Sequence, residues 1–283
     1  MAAEVESYLI NDKDGTYVDC TLGGGGHSFR LLEKHQSIKI LGLDWDEAAL
    51  EEGKKSLSQF EERVTIVREN FANLGAVLNS LSLKEVSGIL LDLGVSSKQL
   101  DDATRGFSFR SSTLDMRMDT RLKQDAKDLV NRLDKEELED IFFKLGEERF
   151  SRPISRAIVE ARKKRPINSA QELSEIISGV KKPYSKIHPA TKVFMALRLK
   201  LNDELQNLTG LIESSGHLLS KGGRIVVLSY HSLEDRIVKN GFKQKASEGV
   251  FKILTKKVVF PDREETRQNP RSRSAKLRAA ERM

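Results

Sequence analysis

Between residues 16 and 94, short apolar runs alternate with segments whose apolar residues recur at helical spacing. "TYVDC" (16–20), "IKILGLD" (38–44), "RVTIVREN" (63–70) and "VSGILLDLG" (86–94) read as strands. "HSFRLLEKH", with Phe29, Leu31 and Leu32 on one side, "EAALEEGKKSL" and "FANLGAVLNSLSL" read as the helices between them. Strands and helices alternating at this interval predict βαβ units, and so a parallel sheet covered by helices on both faces.

The alternation stops near Asp102. From there to Lys200 no strand is predicted, while "AKDLVNRLDKEELEDIFFKLG", "ISRAIVEARKKR" and "SAQELSEIISGV" carry helical patterns. The expected organisation is a sheet domain over residues 1–102, a helical insertion over 103–200 and the rest of the sheet domain over 201–283. A single long helix is predicted over "ATKVFMALRLKLNDELQNLTGLIESSG", where Phe194, Leu197, Leu201, Leu205 and Leu208 form one stripe. "RIVVLSY" (224–230), after "KGG", resumes the sheet as a buried strand. "VFKILTKKVVF" (250–260) and "AKLRAAER" (275–282) are expected as its final edge strands.

Composition adds constraints. Of 283 residues, 38% are hydrophobic and 32% charged, as in a globular protein with a wet surface. No apolar run approaches the roughly 20 residues that cross a bilayer. The opening "MAAEVESYLINDKDG" has neither a basic nor an apolar leader region, so a cytoplasmic location without membrane contact is expected. Cys20 is the single cysteine, which excludes an internal disulfide and any cysteine-built metal site, and no metal is expected. The net charge of +6 favours a polyanionic partner, and the oligomeric state, a homodimer included, is left open.

Within this frame "DCTLGGGGHS" (19–28) draws the eye, because four successive glycines cost conformational entropy wherever they are fixed. Strand, glycine turn, helix and a second strand ending in an acid is how several α/β folds hold a nucleoside. Bare backbone approaches the ligand, and the acid, here Asp44 with Asp46 as the alternate, accepts from ribose hydroxyls. No Lys-Ser/Thr pair follows the glycines, so a phosphate-binding P-loop is not expected. Ser28 stands where a dinucleotide fingerprint would have its third glycine, and local pattern leaves NAD and S-adenosylmethionine both open.

Asp92 ends the fourth strand, where an acid can bond an amine or cap the following helix. "SYHSLEDR" (229–236) puts polar residues at the mouth of the late strand, as site-builders or as a helix start capped by Ser232.

"DCTLGGGGHS", "GILLDLGVSSKQLDDATRGFSFR", "LDMRMD", "GEERFSRPISRAIVEAR", "HPATKVFMALRLKLNDEL", "GGRIVVLSYHSLEDRIVK" and "NPRSRSAKLRAAER" together resemble the bacterial 16S ribosomal RNA cytosine-N4 methyltransferases, from about Asp14 to Met283. The resemblance implies a class I S-adenosylmethionine-dependent (Rossmann-like) α/β sheet with an inserted helical substrate-recognition domain. It also implies methylation of a cytosine amine in the decoding centre, with 16S ribosomal RNA of the small subunit as partner. Matched motif by motif, it assigns S-adenosylmethionine contacts to Gly25, Gly26, His27, Asp44, Phe71, Asp92 and Gln99. The family's His-x-Pro-Val opening has no counterpart here, and "MAAEVESYL" resembles the helix that follows it. Lys192, Val193 and Met195 stand where the family has Arg, Thr and Gln, which bears on RNA contacts rather than on the fold.

Cytosine's exocyclic amine is a poor nucleophile, because its lone pair is delocalised into the ring. A hydrogen-bond acceptor that favours a pyramidal nitrogen, and alignment with the methyl donor, would promote transfer. The candidates for that acceptor are Asp92, Ser96, Ser97, Asp101 or a carbonyl of "DLGVSS", with His231 or Glu234 contributing from the late strand. The target base must leave its stack to be reached. Two basic runs are candidates for RNA contact. "RPISRAIVEARKKR" carries six Lys or Arg against one Glu and includes Arg162, Lys163, Lys164 and Arg165; the C-terminal strip contributes Arg271 and Arg273.

Overall fold

The computed structural model describes residues 1–181 and 187–283. Two compact units emerge, one made of Met1–Gly94 with Leu205–Met283, the other of Val95–Glu204.

In the first unit the helices are α1 (Ala2–Leu9), α2 (Gly26–Lys34), α3 (Glu47–Ser56) and α4 (Leu74–Ser80). Among them run β1 (Thr16–Asp19), β2 (Lys39–Asp44), β3 (Val64–Arg68) and β4 (Val86–Asp92). The sheet order is β3-β2-β1-β4-β5-β7-β6, with β5 at Leu219–Ser229, β6 at Phe251–Ile253 and β7 at Lys276–Arg282. β1 to β5 are parallel, and β7 runs antiparallel to both β5 and β6.

Why the strands are apolar runs rather than alternations follows from burial on both faces. Val18, Leu41, Leu43, Ile89, Leu91 and Val227 join one core cluster, with Leu74, Leu78, Leu211 and Phe242 from the helices on that face. Their strand neighbours Tyr17, Ile40, Leu90, Val226 and Leu228 join another, with Val5, Leu9, Leu32 and Leu50.

The long sheet helix predicted through 190–216 is two helices. α10 (Thr191–Leu201), in the second unit, stops at Asn202, and α11 (Glu204–Leu218), which belongs to the first unit from Leu205 on, begins after Asp203, whose φ of 48° is left-handed. The cause is a polar anchor. Asn202 is buried, its Oδ1 accepts the Met118 N–H at 2.8 Å, and its Nδ2 donates to the Met116 carbonyl at 3.0 Å. A continuous stripe gives no hint of a side chain committed to a distant loop. The late strand also begins before the predicted Arg224, and "KGG" belongs to it. Inside β5 Gly222 has φ 78° and the pairing with β4 shifts register between Val86 and Gly88. Nor is β7 an edge: with β5 on one side and β6 on the other, Leu277 and Ala279 face one core and Ala280 the other.

The remaining helices of the second unit are α5 (Ser97–Asp101), α6 (Ala126–Arg132), α7 (Lys135–Lys144), α8 (Ser151–Lys164) and α9 (Ala170–Val180). The stretch "AKDLVNRLDKEELEDIFFKLG" thus divides at Leu133, because Asp134 caps α7 by accepting from Glu137 N. Leu129, Leu138, Phe142, Ile154, Ile158, Leu173, Ile177 and Phe194 are buried and form its interior. Later in the first unit come α12 (Ser232–Ser247) and α13 (Arg263–Gln268).

Candidate functional site

Chain order leaves β1 in two directions: β2 and β3 lie to one side, β4 and β5 to the other. The carboxyl ends of β1 and β4 therefore flank a topological switch point, where open parallel sheets leave a crevice for ligands. The glycine turn follows β1 and Asp92 ends β4, so the two most suggestive stretches meet at that crevice.

The glycines divide by purpose. Gly23 and Gly25 have φ of 52° and 80°, and Gly25 caps α2 from that left-handed conformation. A Cβ on Gly24 would lie 2.9 Å from the Glu52 carboxyl carbon, and one on Gly25 2.8 Å from Ser56 Oγ. Gly26 alone of the four is helical with nothing within 4 Å of its missing Cβ. The first turn of α2 has no side-chain cap, so the amides at Gly26, His27 and Ser28 offer an anion a positive helix end.

Three acids hold this turn and its flanks. Asp44 accepts Gly23 N–H at 2.9 Å and Asp46 N–H at 3.0 Å, and burial pushes its carboxyl up to about 6. Asp19, wholly buried, accepts from Ser28 Oγ at 2.7 Å and from Thr21 N at 3.3 Å; burial raises its pKa against those bonds. Asp92 donates its backbone N–H to Thr21 Oγ1 at 2.6 Å and accepts the Tyr230 phenol at 2.8 Å. Its other oxygen lies 3.6 Å from His27 Nε2. Burial pulls the His27 imidazole down, but the neighbouring Asp92 carboxylate, with Asp19 behind, outweighs it and raises the pKa. Burial, then the charge of Asp92, pushes the Tyr230 phenol far above its usual range, which keeps the proton it donates.

Phe71 sits in a short 3₁₀ turn, 7% exposed and within the core, so at most its edge faces outward. Trp45, next to Asp44, tilts against it at 6.5 Å between centroids and leaves more surface open. At the end of β5, His231 rather than Ser232 caps α12. Its Nδ1 accepts Glu234 N–H at 3.4 Å, while Nε2 lies 3.0 Å from Glu234 Oε1 without forming a hydrogen bond. Glu234, buried, spends Oε2 on the backbone N–H of Tyr230 at 2.8 Å and of His231 at 3.3 Å. It pins the chain that carries Tyr230.

In the second unit Ser96 and Gln99 form a capping box: Gln99 N donates to Ser96 Oγ at 3.2 Å and Ser96 N to Gln99 Oε1 at 2.8 Å. Ser97 and Asp101 are exposed on α5. Arg162 belongs to the interior architecture, donating to the Val130 carbonyl at 2.6 Å and the Leu133 carbonyl at 2.5 Å where α6 ends. Lys163 pairs with Glu160 at 2.8 Å and Arg165 with Glu172 at 3.1 Å, while Lys164 is exposed. Lys192 donates to the Glu147 carbonyl at 2.7 Å, Val193 is fully buried and Met195 half-buried. In the first unit Arg271 and Arg273 are exposed on the turn Pro270–Ser274.

Among the described residues no group of three or more His, Cys, Asp or Glu could hold a metal ion, and no helix is long and apolar enough to cross a membrane. Sequence reading misses Asp19, Thr21, Trp45 and the Tyr230–Asp92 bond. Asp19 carried a usable signal, an acid at a strand end like Asp44 and Asp92; the others depend on which strands are neighbours.

Comparison with known proteins agrees over the full length. The family model described as the MraW methylase family matches residues 1–283. A relative from Endomicrobium trichonymphae, named ribosomal RNA small subunit methyltransferase H, is 52% identical over 281 residues, covering 99% of this chain and 97% of that one. Proteins of the same name from Persephonella marina and a Nostoc species are 47% and 48% identical, covering 97% and 90% of their own lengths. With its seven-stranded α/β sheet and a match from end to end, the chain is a methyltransferase and belongs to the MraW methylase family.

Proposed function

We propose that this chain transfers a methyl group from S-adenosylmethionine to the N4 amine of a cytosine in 16S ribosomal RNA of the small subunit, in the cytoplasm. The observation that carries this reading is the convergence, at one switch point, of an uncapped helix start, an open Gly26, the Asp44 carboxylate and the Asp92–Tyr230–His27 cluster. The names of the relatives support the RNA substrate.

The residues present fit such a cofactor. The amides at Gly26 and His27 suit its carboxylate, and Asp44 retains lone pairs for ribose hydroxyls beyond its two backbone bonds. The Trp45–Phe71 pair offers adenine an apolar surface. When bound, S-adenosylmethionine supplies a methyl group on a positively charged sulfur. Asp92, its carboxylate oriented by the Tyr230 phenol and its backbone N–H held by Thr21 Oγ1, is the acceptor we assign to the amine. Its carboxylate favours the lone pair on a substrate nitrogen by accepting that nitrogen's proton in a hydrogen bond. Ser96 and Gln99 fix the start of α5, Asp101 stands at its exposed end, and His231 with Glu234 sets the backbone that presents Tyr230. The helical unit is assigned to substrate recognition, with Lys163, Lys164 and Arg165, and Arg271 and Arg273 in the first unit, as phosphate contacts.

Thermal unfolding with each cofactor, followed by transfer of tritiated methyl to isolated small subunits, tests this. Stabilisation by S-adenosylmethionine and label in the RNA fraction are expected. Stabilisation by NAD instead would point to a dehydrogenase, and RNA binding without label to an assembly factor.

A further inference from the structure

The helical unit contains a cavity of about 700 Å³ that none of the roles above uses, lined by Ser108, Phe109, Arg110, Ser174, Glu175 and His188 among others. One wall is an aromatic ladder. Phe194, buried in the core of the unit, meets the Phe109 ring edge-to-face at 4.8 Å between centroids. Phe109 in turn stacks on His188 at 4.4 Å and 18°. The ladder runs from the core to an exposed imidazole, so the outermost ring is held flat by the rings beneath it. His188 Nδ1 accepts Ala190 N–H at 3.2 Å, which fixes the ring against rotation.

The rest of the lining includes one face of α9, where Gln171, Ser174, Glu175 and Ser178 recur at helical spacing. Gln171 Nε2 donates to Glu175 Oε1 at 2.9 Å, leaving an amide oxygen beside a carboxylate. Arg110 stands exposed at the cavity, and among the described residues its guanidinium has no partner.

We infer that this cavity binds an unpaired nucleotide of the RNA, its base stacked on His188, its edge read from α9 and its phosphate met by Arg110. A flat exposed ring backed by aromatics is the surface on which proteins stack unstacked bases, and it accepts any base because every base has a π-face. A purely apolar ligand would bury the Gln171 amide oxygen, the second Glu175 carboxylate oxygen and the Ser178 hydroxyl against carbon, which is costly. An acidic ligand would face Glu175. A base joined to a phosphate satisfies the ring, the polar wall and the cation together.

This inference rests on the RNA-substrate reading, and the test separates the two. Full-length wild type, His188→Ala and His188→Phe are titrated with a single-stranded tetranucleotide containing 2-aminopurine, whose fluorescence falls on stacking, and assayed for methylation of small subunits. Both variants lose the Nδ1 bond to Ala190, so their difference isolates the ring. Quenching by wild type and His188→Phe but not His188→Ala is expected, with KM for subunits raised at least about fivefold in His188→Ala alone and S-adenosylmethionine affinity unchanged. No quenching by wild type, or equal quenching and equal KM in His188→Ala, overturns the inference while leaving the methyltransferase reading intact. Quenching with the expected pattern but no methyl transfer by any form overturns the RNA methylation reading and not the nucleotide site.

Discussion

Replacing Asp44 by alanine removes a carboxylate that does two things at once. It accepts the N–H groups of Gly23 and Asp46, and in the proposed complex it also accepts from the ribose. Hydrogen bonds to a charged group contribute about 1.5–3 kcal/mol, which corresponds to a dissociation constant about 12- to 150-fold higher. The same residue sets a pH dependence. With its carboxyl raised to about 6, the group is charged at pH 8 and mostly protonated at pH 5. If only the charged form accepts from ribose, wild-type affinity falls about tenfold between those pH values, approaching tenfold per unit below. Stability moves the other way. A folded-state pKa above the ordinary 3.8 disfavours folding while the group is charged, so this destabilisation is present above pH 6 and fades as pH falls toward 4. Isothermal titration of full-length wild type and Asp44→Ala from pH 8 to 5 reads both effects. Because His27 titrates nearby, the diagnostic quantity is the difference between the two profiles, largest at pH 8 and closing toward pH 5. Unchanged affinity in a folded Asp44→Ala, or parallel profiles, would refute the role.

Gly26→Ala fills space that is empty in the protein alone and improves helix propensity by up to about 1 kcal/mol, so stability should hold or rise. S-adenosylmethionine affinity should nonetheless drop at least about tenfold if the cofactor lies against that backbone, and an unaltered titration would make the glycines purely structural. Arg162→Ala should cost about 2–4 kcal/mol in denaturant unfolding, from two charge-assisted bonds at the end of α6, and a midpoint equal to wild type would contradict this. Neutralising Lys163, Lys164 and Arg165 together should weaken RNA binding and flatten its salt dependence with cofactor binding intact; methylation matching wild type at several salt concentrations would reduce the run to a solvated face. Activity should be poor on a short unstructured oligonucleotide and good on assembled small subunits, since RNA is read mainly through folded shape, and equal rates per cytosine would sink that expectation.

The sheet was legible because burial on both faces turns its strands into apolar runs that local pattern detects, as in "KILGLD" and "GILLD". The glycine turn and Asp44 were legible because backbone conformation and strand ends leave local marks. What escaped depends on partners distant in sequence. Asn202 breaks a continuous apolar stripe because it reaches Met116 and Met118, and β7 becomes interior because β6 joins it. Arg162 reads as a phosphate contact within a basic run, yet its guanidinium closes the end of α6; only the fold shows that it faces Val130 and Leu133. Tyr230 and Asp92 stand 138 positions apart, and nothing but the β4–β5 register brings phenol to carboxylate.

Incubating the chain with tritiated S-adenosylmethionine and small ribosomal subunits, then digesting the RNA and mapping the labelled nucleotide by mass spectrometry, asks where the methyl group goes. The expected product is N4-methylcytidine at a single position in the decoding centre, with none formed by Asp92→Ala that still binds cofactor. Label on another nucleotide or another atom of cytosine, or full transfer by that variant, would contradict it.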